Sequence, residues 1–330
     1  MIPPVALTLG DPAGIGGEIA LRAWTALGGR VPFFLIGDHD HMAALGRRLG
    51  VPVVAIDAPA GTAAALSRGL PVLHHPLPRP APPGDPDPAN AAAVVAIIER
   101  GVALVRGGEA SALCTNPIHK KALKDGAGFA FPGHTEFLAH LSGAALPVMM
   151  LAAPGLRVVP VTIHIPLAEV PAALTAALLE ETLRVTHAGL VADFAVAAPR
   201  IAVAGLNPHA GEGGAMGGEE IAVIAPVLDR LRAEGMALTG PHSADTLFHP
   251  AARARYDAAV CMYHDQALIP IKTIAFDAGV NVTLGLDFVR TSPDHGTAYD
   301  IAAGLTANPA SLVAALEMAA GMGATRAGGR

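Results

Sequence analysis

Charge is scarce in this chain, and what there is leans acidic. Of 330 residues only 15% are Asp, Glu, Lys or Arg, and the formal net charge is −6. Nothing in that balance supplies the basic, counterion-releasing surface that nucleic acid binding requires, so no nucleic acid partner is expected. Cysteine is scarcer still. Cys114 and Cys261 are the only two, each inside an apolar run (SALC, AAVC), so they form no disulfide framework and read as buried thiols of a reducing compartment. Long uninterrupted apolar runs are also missing. The richest stretch, 146–179, is cut by Pro147, Pro154, Pro160, Pro166 and Pro171, and it offers none of the ~20 consecutive apolar residues that a membrane span needs. The N-terminus, MIPPVALTLGDP, has no charged n-region and soon reaches a turn, unlike a signal peptide. The expectation is a soluble, cytoplasmic protein with no membrane partner.

What the chain does have is apolar residues, 52% of the total, and enough length for about two domains. Short apolar runs of strand length occur at 5–9, 32–37, 51–56, 111–115, 158–165, 200–205 and 258–264. Segments of helical period lie between them. One begins near Gly218, where Ile221, Ile224, Val227, Leu228 and Leu231 recur at helical spacing and Pro226 predicts a kink or a late start. Another follows Asn90, a residue able to cap it. Strand and helix in alternation predict an α/β fold with a parallel sheet covered on both faces. Segment 71–88 carries eight prolines in eighteen residues and reads as an extended surface excursion, neither helix nor central strand. The final GATRAGGR is expected to fray. GDPAGIGGE follows a strand but lacks the G-x-G-x-x-G spacing, and no acidic residue is seen closing a strand about 20 residues on, so a standard dinucleotide site is rejected.

GLNPHAGEGG, residues 205–214, sets one histidine among residues that only bend the chain. His209 alone reads better as a solvated loop residue than as a ligand. It gains weight because His164 and His264 likewise close apolar runs (VVPVTIHI, AAVCMYH). In a parallel sheet all three fall on one edge, where converging imidazoles make a divalent-metal site with positions left open for substrate; the plainer alternative is three rings donating to carbonyls. Lys272, Asn281 and Arg290 follow within thirty residues on an acidic chain, which suggests an anionic substrate such as a phosphate or carboxylate. In FPGHTEF, His134 and Thr135 open a helix whose first N–H groups suit an anion. Asp245 (SADTLF) and Asp265 are the candidate general bases.

GDPAGIG, TNPIHK, GHTEF, VTIHIPL, GLNPHAGEGG, ADTLF, MYHDQ, GVNVTLG and RTSPDHGTA, in this order from about residue 5 to 320, resemble the 4-hydroxythreonine-4-phosphate dehydrogenase (PdxA) family. The resemblance implies two α/β/α domains flanking a cleft, as in isocitrate and isopropylmalate dehydrogenases, with 1–128 plus 299–330 in the first and 129–298 in the second. It implies NAD or NADP held outside the Rossmann scheme, and one divalent cation (Zn, Mg or Co) on His164, His209 and His264 in a site shared between the subunits of a homodimer. His134, Thr135, Lys272, Asn281 and Arg290 match the family's substrate contacts. The implied substrate is a small phosphorylated amino acid, 4-phosphooxy-L-threonine, oxidised at C3 and then decarboxylated to 3-amino-2-oxopropyl phosphate on the way to pyridoxal phosphate. Gly17 and Asn116 depart from residues common in the family, and Asn116 leaves the cofactor contacts unassigned. Dehydrogenases of four-carbon sugar-acid phosphates or of a carboxylated dihydrodiol, a metal-dependent hydrolase and a metal-stapled binding protein are the alternative readings.

Overall fold

A computed structural model describes residues 2–328 of the chain. Packing divides it into two compact units, Met1–Ala144 with Leu286–Arg330, and Ala145–Gly285.

The first unit opens with β1 (Val5–Thr8), α1 (Gly16–Leu27), β2 (Phe33–Gly37), α2 (His39–Leu49), β3 (Val53–Ile56), α3 (Thr62–Leu66) and β4 (Leu70–His74). It continues through α4 (Ala91–Arg106), β5 (Leu113–Thr115), α5 (Lys120–Ala127) and α6 (His134–Ser142). The second unit holds β6 (Val148–Ala153), β7 (Leu156–Pro160), α7 (Val170–Ala173), α8 (Ala176–Phe194), β8 (Arg200–Ala204) and α9 (Ala225–Ala233). After them come β9 (Ala237–His242), α10 (Pro250–Arg253), β10 (Ala258–Cys261), α11 (His264–Ala275) and β11 (Val280–Leu284). The chain then returns to the first unit as β12 (Arg290–Pro293), α12 (Tyr299–Ala302) and α13 (Ala310–Gly328).

In the first unit the strands run β3-β4-β2-β1-β5-β12, all parallel. β1, β2 and β5 are buried along their whole length, as strands covered on both faces should be. Pro88–Arg106 is long and apolar enough to cross a membrane by length and composition. Its Val94, Ile97, Ile98 and Val102 are buried in this unit's core against Phe34, Ile36 and Leu113.

In the second unit the order is β11-β6-β7-β10-β8-β9. β7, β10, β8 and β9 are parallel, but β6 is antiparallel to both β7 and β11. The wholly parallel sheet expected from alternation therefore fails here. Pro154-Gly155 turns the chain straight back from β6 to β7, a hairpin connection that parallel strands cannot use.

Several local features add to or depart from the sequence reading. Compact packing divides the chain at 144/145 and 285/286, where the resemblance places the domain boundaries at 128/129 and 298/299. Phe137 and Leu138 of α6, with Leu286 and Phe288, are buried in the first core, and β12 pairs with β5. The proline-rich segment begins inside a sheet: β4 lies between β3 and β2. Pro71 is tolerated because pairing with β2 starts only at Val72, so its missing N–H falls where no ladder bond is needed. Asp38 does close β2, about where a ribose-binding acid would stand. Both its oxygens are used structurally, Oδ1 accepting from His41 N at 2.8 Å and Oδ2 from Leu77 N at 2.9 Å. Gly10 of GDPAGIG has φ +75°, and a Cβ there would lie 2.5 Å from the Pro117 carbonyl oxygen, so this turn serves close backbone packing. Asn90 precedes α4 without capping it; its Oδ1 accepts from Arg79 N and pins the proline-rich loop. Pro226 gives the late start: a π-type turn, Glu220–Ile224, precedes α9. α13 stays helical to Gly328; the rest of the tail expected to fray, residues 329 and 330, lies outside the described residues.

Candidate functional site

Because β7, β8 and β10 are parallel, their carboxyl ends share one edge of the second unit's sheet. The three histidines lie beyond those ends, not on the strands. β7 stops at Pro160, ahead of His164, and His264 is the first residue of α11. The rings of His164 and His264 come together with centroids 5.7 Å apart. Backbone bonds prolong the β7–β10 pairing toward them, Val161 N to Cys261 O at 2.8 Å and Thr162 N to Met262 O at 3.2 Å. The Thr162 hydroxyl donates to the same Met262 carbonyl at 2.8 Å. Gln266 adds a buried brace: its Oε1 accepts from Met262 N at 2.7 Å and its Nε2 donates to Gly205 O at 2.8 Å. The ends of β10 and β8 are thus fastened just before the segments that carry His264 and His209.

Asp265 lies 2.7 Å from His264 Nδ1. A carboxylate there fixes the tautomer and leaves Nε2 as the lone-pair donor, the usual arrangement of a metal-ligating histidine. Ile163, His164, Leu167, Tyr263, His264 and Asp265 line a cavity of about 270 Å³. His209 stands elsewhere: its side chain is 64% exposed and its Nδ1 lies 3.6 Å from Glu212. Among the described residues no group of three His, Cys, Asp or Glu side chains converges within one chain. The pair of imidazoles fits part of a cation's coordination sphere, with a spacing compatible with N–metal bonds of about 2.0–2.1 Å to one ion.

Asp245 is exposed on a single turn, Ala244–Thr246, that packs against the His209 loop, and it accepts a hydrogen bond from the Ser243 hydroxyl. Lys272, on α11, holds its ammonium 5.8 Å from the Phe276 ring centre. Asn281, on β11, has a buried Oδ1 with no hydrogen-bond partner.

His134, Thr135 and Arg290 belong to the first unit, and two of them form the core of a cationic site. Arg290 opens β12 and is 3% exposed. Its Nε and Nη2 donate to the Thr115 hydroxyl at 3.2 and 2.7 Å. Burial brings its pKa down to about 10, so it stays charged at neutral pH, while the neighbouring Cys114 thiol is pushed up to about 12 and stays neutral. His134 opens α6 behind Gly133. Burial first, then the charges of Arg290 and Lys120, hold its pKa well below the ordinary histidine value. Its Nε2 is sealed from solvent with no partner. A neutral imidazole, two cations and the first-turn N–H groups of a helix are together chemically suited to an anion. Lys120 is the member that reading the sequence missed. It stands in TNPIHK, but nothing in its spacing distinguished it from Lys121, and only the fold brings it beside His134.

The family model described as pyridoxal phosphate biosynthetic protein PdxA matches residues 30–319. The chain is 57% identical over 327 residues to a 4-hydroxythreonine-4-phosphate dehydrogenase of Paracoccus denitrificans, covering 98% of each. The crystal structure of a protein of that name from Klebsiella pneumoniae is 37% identical, with a TM-score of 0.89 over 97% of this chain and 99% of that one. A terephthalate 1,2-cis-dihydrodiol dehydrogenase from Burkholderia xenovorans is 29% identical, with a TM-score of 0.67 over 96% and 97% of the two chains. The motifs, the fold of each unit and a match along nearly the whole length agree, and the chain belongs to the PdxA family of pyridoxal phosphate biosynthetic proteins.

Proposed function

We propose that the chain is a 4-hydroxythreonine-4-phosphate dehydrogenase. On this reading it oxidises 4-phosphooxy-L-threonine at C3 with NAD or NADP, and the β-keto acid then loses CO2 to give 3-amino-2-oxopropyl phosphate. The observation that carries the reading is the pairing of His164 with His264 at 5.7 Å on the sheet edge from which β8 also leads to His209. A divalent cation (zinc, magnesium or cobalt), when bound, stabilises negative charge on the C3 oxygen in both the oxidation and the decarboxylation.

The chain's own residues bind and orient. Arg290 and Lys120 neutralise the substrate phosphate, neutral His134 and Thr135 add hydrogen bonds, and this remote grip fixes C3 for reaction. Lys272 and Asn281 are assigned to the rest of the substrate, where the unanswered Asn281 Oδ1 would accept from its ammonium group. Asp265 orients His264, and Asp245 is the candidate to take the hydroxyl proton. The buried, unpartnered Asn116 Oδ1 and His119 Nδ1 near the ends of β1 and β5 fit the polar groups of a nicotinamide cofactor. Since one chain does not gather all three imidazoles, the site is completed in a homodimer, with 164, 209 and 264 drawn from two copies. The setting is cytoplasmic.

The test compares initial rates of nicotinamide reduction with 4-phosphooxy-L-threonine, the 4-phosphates of erythronate and threonate, and a carboxylated dihydrodiol, with each cofactor, before and after chelation. The expected result is fastest turnover of 4-phosphooxy-L-threonine, abolished by chelation and restored by metal. Preference for the dihydrodiol, which the Burkholderia xenovorans likeness makes the second reading, or no reduction with any substrate, overturns the assignment.

A further inference from the structure

The loop that carries His209 has the most strained backbone of the second unit. Five consecutive residues, His209, Ala210, Gly211, Glu212 and Gly213, have φ of 53°, 52°, 79°, 43° and 66°. Glycine is at home in this region, but His209, Ala210 and Glu212 are not, at a cost of about 1–2 kcal/mol each. Such a turn persists only where its surroundings over-determine it.

Those surroundings centre on a buried carboxylate. Glu220 is 4% exposed. Its Oε1 accepts from Asn207 N at 2.7 Å and its Oε2 from Asn207 Nδ2 at 3.0 Å, while Glu219 Oε2 accepts from the same side-chain amide at 2.7 Å. Asn207 is the residue from which the left-handed turn springs. The flanking glycines leave room for this carboxylate. A Cβ at Gly211 would lie 2.6 Å from Glu220 Oε2, and one at Gly205 3.0 Å from Oε1. A carboxylate this deep is costly unless hydrogen-bonded, and here N–H donors of one asparagine answer it.

We propose that Glu220, acting through Asn207, is a positioning residue that holds the left-handed 209–213 turn and so presents His209 to the divalent cation. This rests on the reading that His209 is a metal ligand. Without the brace, the loop relaxes toward right-handed backbone and the imidazole leaves its presented position.

The test is calorimetric titration of the metal-free, full-length protein with zinc, and with cobalt followed by its visible absorption, for the wild type, Glu220→Ala, Glu220→Gln and His209→Ala. Glu220→Ala should weaken metal affinity by about 10–100-fold, the range for partners that orient ligands. Glu220→Gln, which keeps one acceptor for Asn207 N, should lose less. Adding Ala210→Gly to Glu220→Ala should recover part of the loss, because glycine takes the left-handed conformation without the β-carbon penalty. Wild-type affinity in Glu220→Ala beside a weakened His209→Ala overturns the proposal, as does a lowered unfolding temperature with affinity untouched. Wild-type affinity in His209→Ala overturns the underlying ligand reading instead. If Glu220→Ala fails to fold, Glu220→Gln and Asn207→Ala decide, and unchanged affinity in both overturns the proposal.

Discussion

Arg290 concentrates the first unit's chemistry in one side chain, a guanidinium charged at neutral pH although it is 3% exposed and surrounded by Thr115, His134 and the neutral Cys114. Charged hydrogen bonds of this kind are worth roughly 1.5–3 kcal/mol, so Arg290→Ala should raise KM for the phosphorylated substrate by about 10–100-fold. Lys120→Ala, an exposed change that leaves the core intact, should raise it several-fold in the same initial-rate assay. Unchanged KM in both would remove the phosphate grip. At this scale the sequence was informative where chemistry is unusual. An arginine and a lysine stand out in a chain poor in charge, and histidines beyond apolar runs stand out at once. Lys120, Thr115 and Glu220 were hidden because their roles come from neighbours more than ten residues away, or from burial, which no local pattern carries.

Among elements, the strands of the parallel core were legible because burial on both faces leaves continuous apolar runs. β4, β6, β9, β11 and β12 are not legible in the same way. β4 carries a proline at its second residue, Pro71, and β6 sits in the proline-broken stretch, so turn chemistry masks their apolar character. The apolar run 158–165 outlasts its strand, which ends at Pro160, and the next residues hold on through Thr162. Gln266 does the corresponding work between β10 and β8. Gln266→Met keeps the volume but leaves Met262 N–H and Gly205 C=O without their buried partner, at about 1–3 kcal/mol for each unanswered group. The expected outcome is a lower thermal unfolding midpoint, by about 2–4 °C per kcal/mol for a unit of this size. An unaltered midpoint would mean that the two strand ends do not depend on this brace.

For the whole molecule, acid is the expected weakness. His41, His75, His134 and His242 all have pKa values lowered by burial, so the unfolded chain takes up protons before the folded one. Their contribution is intact above the ordinary histidine value of about 6.5 and is lost as pH falls below it. Asp38, Asp257 and Glu219, held low by hydrogen bonds, add a second loss as pH falls below about 4. The unfolding midpoint should therefore fall between pH 6.5 and 5, about where histidines titrate. Replacing His134 with Gln should flatten part of that slope, and a midpoint constant down to pH 5, well below that value, would contradict the burial argument.

The central claim is that imidazoles 209 and 264 reach one cation from different copies of the chain, and mixing inactive variants tests it most directly. His209→Ala and His264→Ala should each be inactive alone. Unfolded together and refolded as a mixture with metal, they should recover about a quarter of the wild-type rate, since random pairing makes about half the dimers mixed and each mixed dimer keeps one intact site of two. No recovery from a mixture that forms dimers would contradict the shared site.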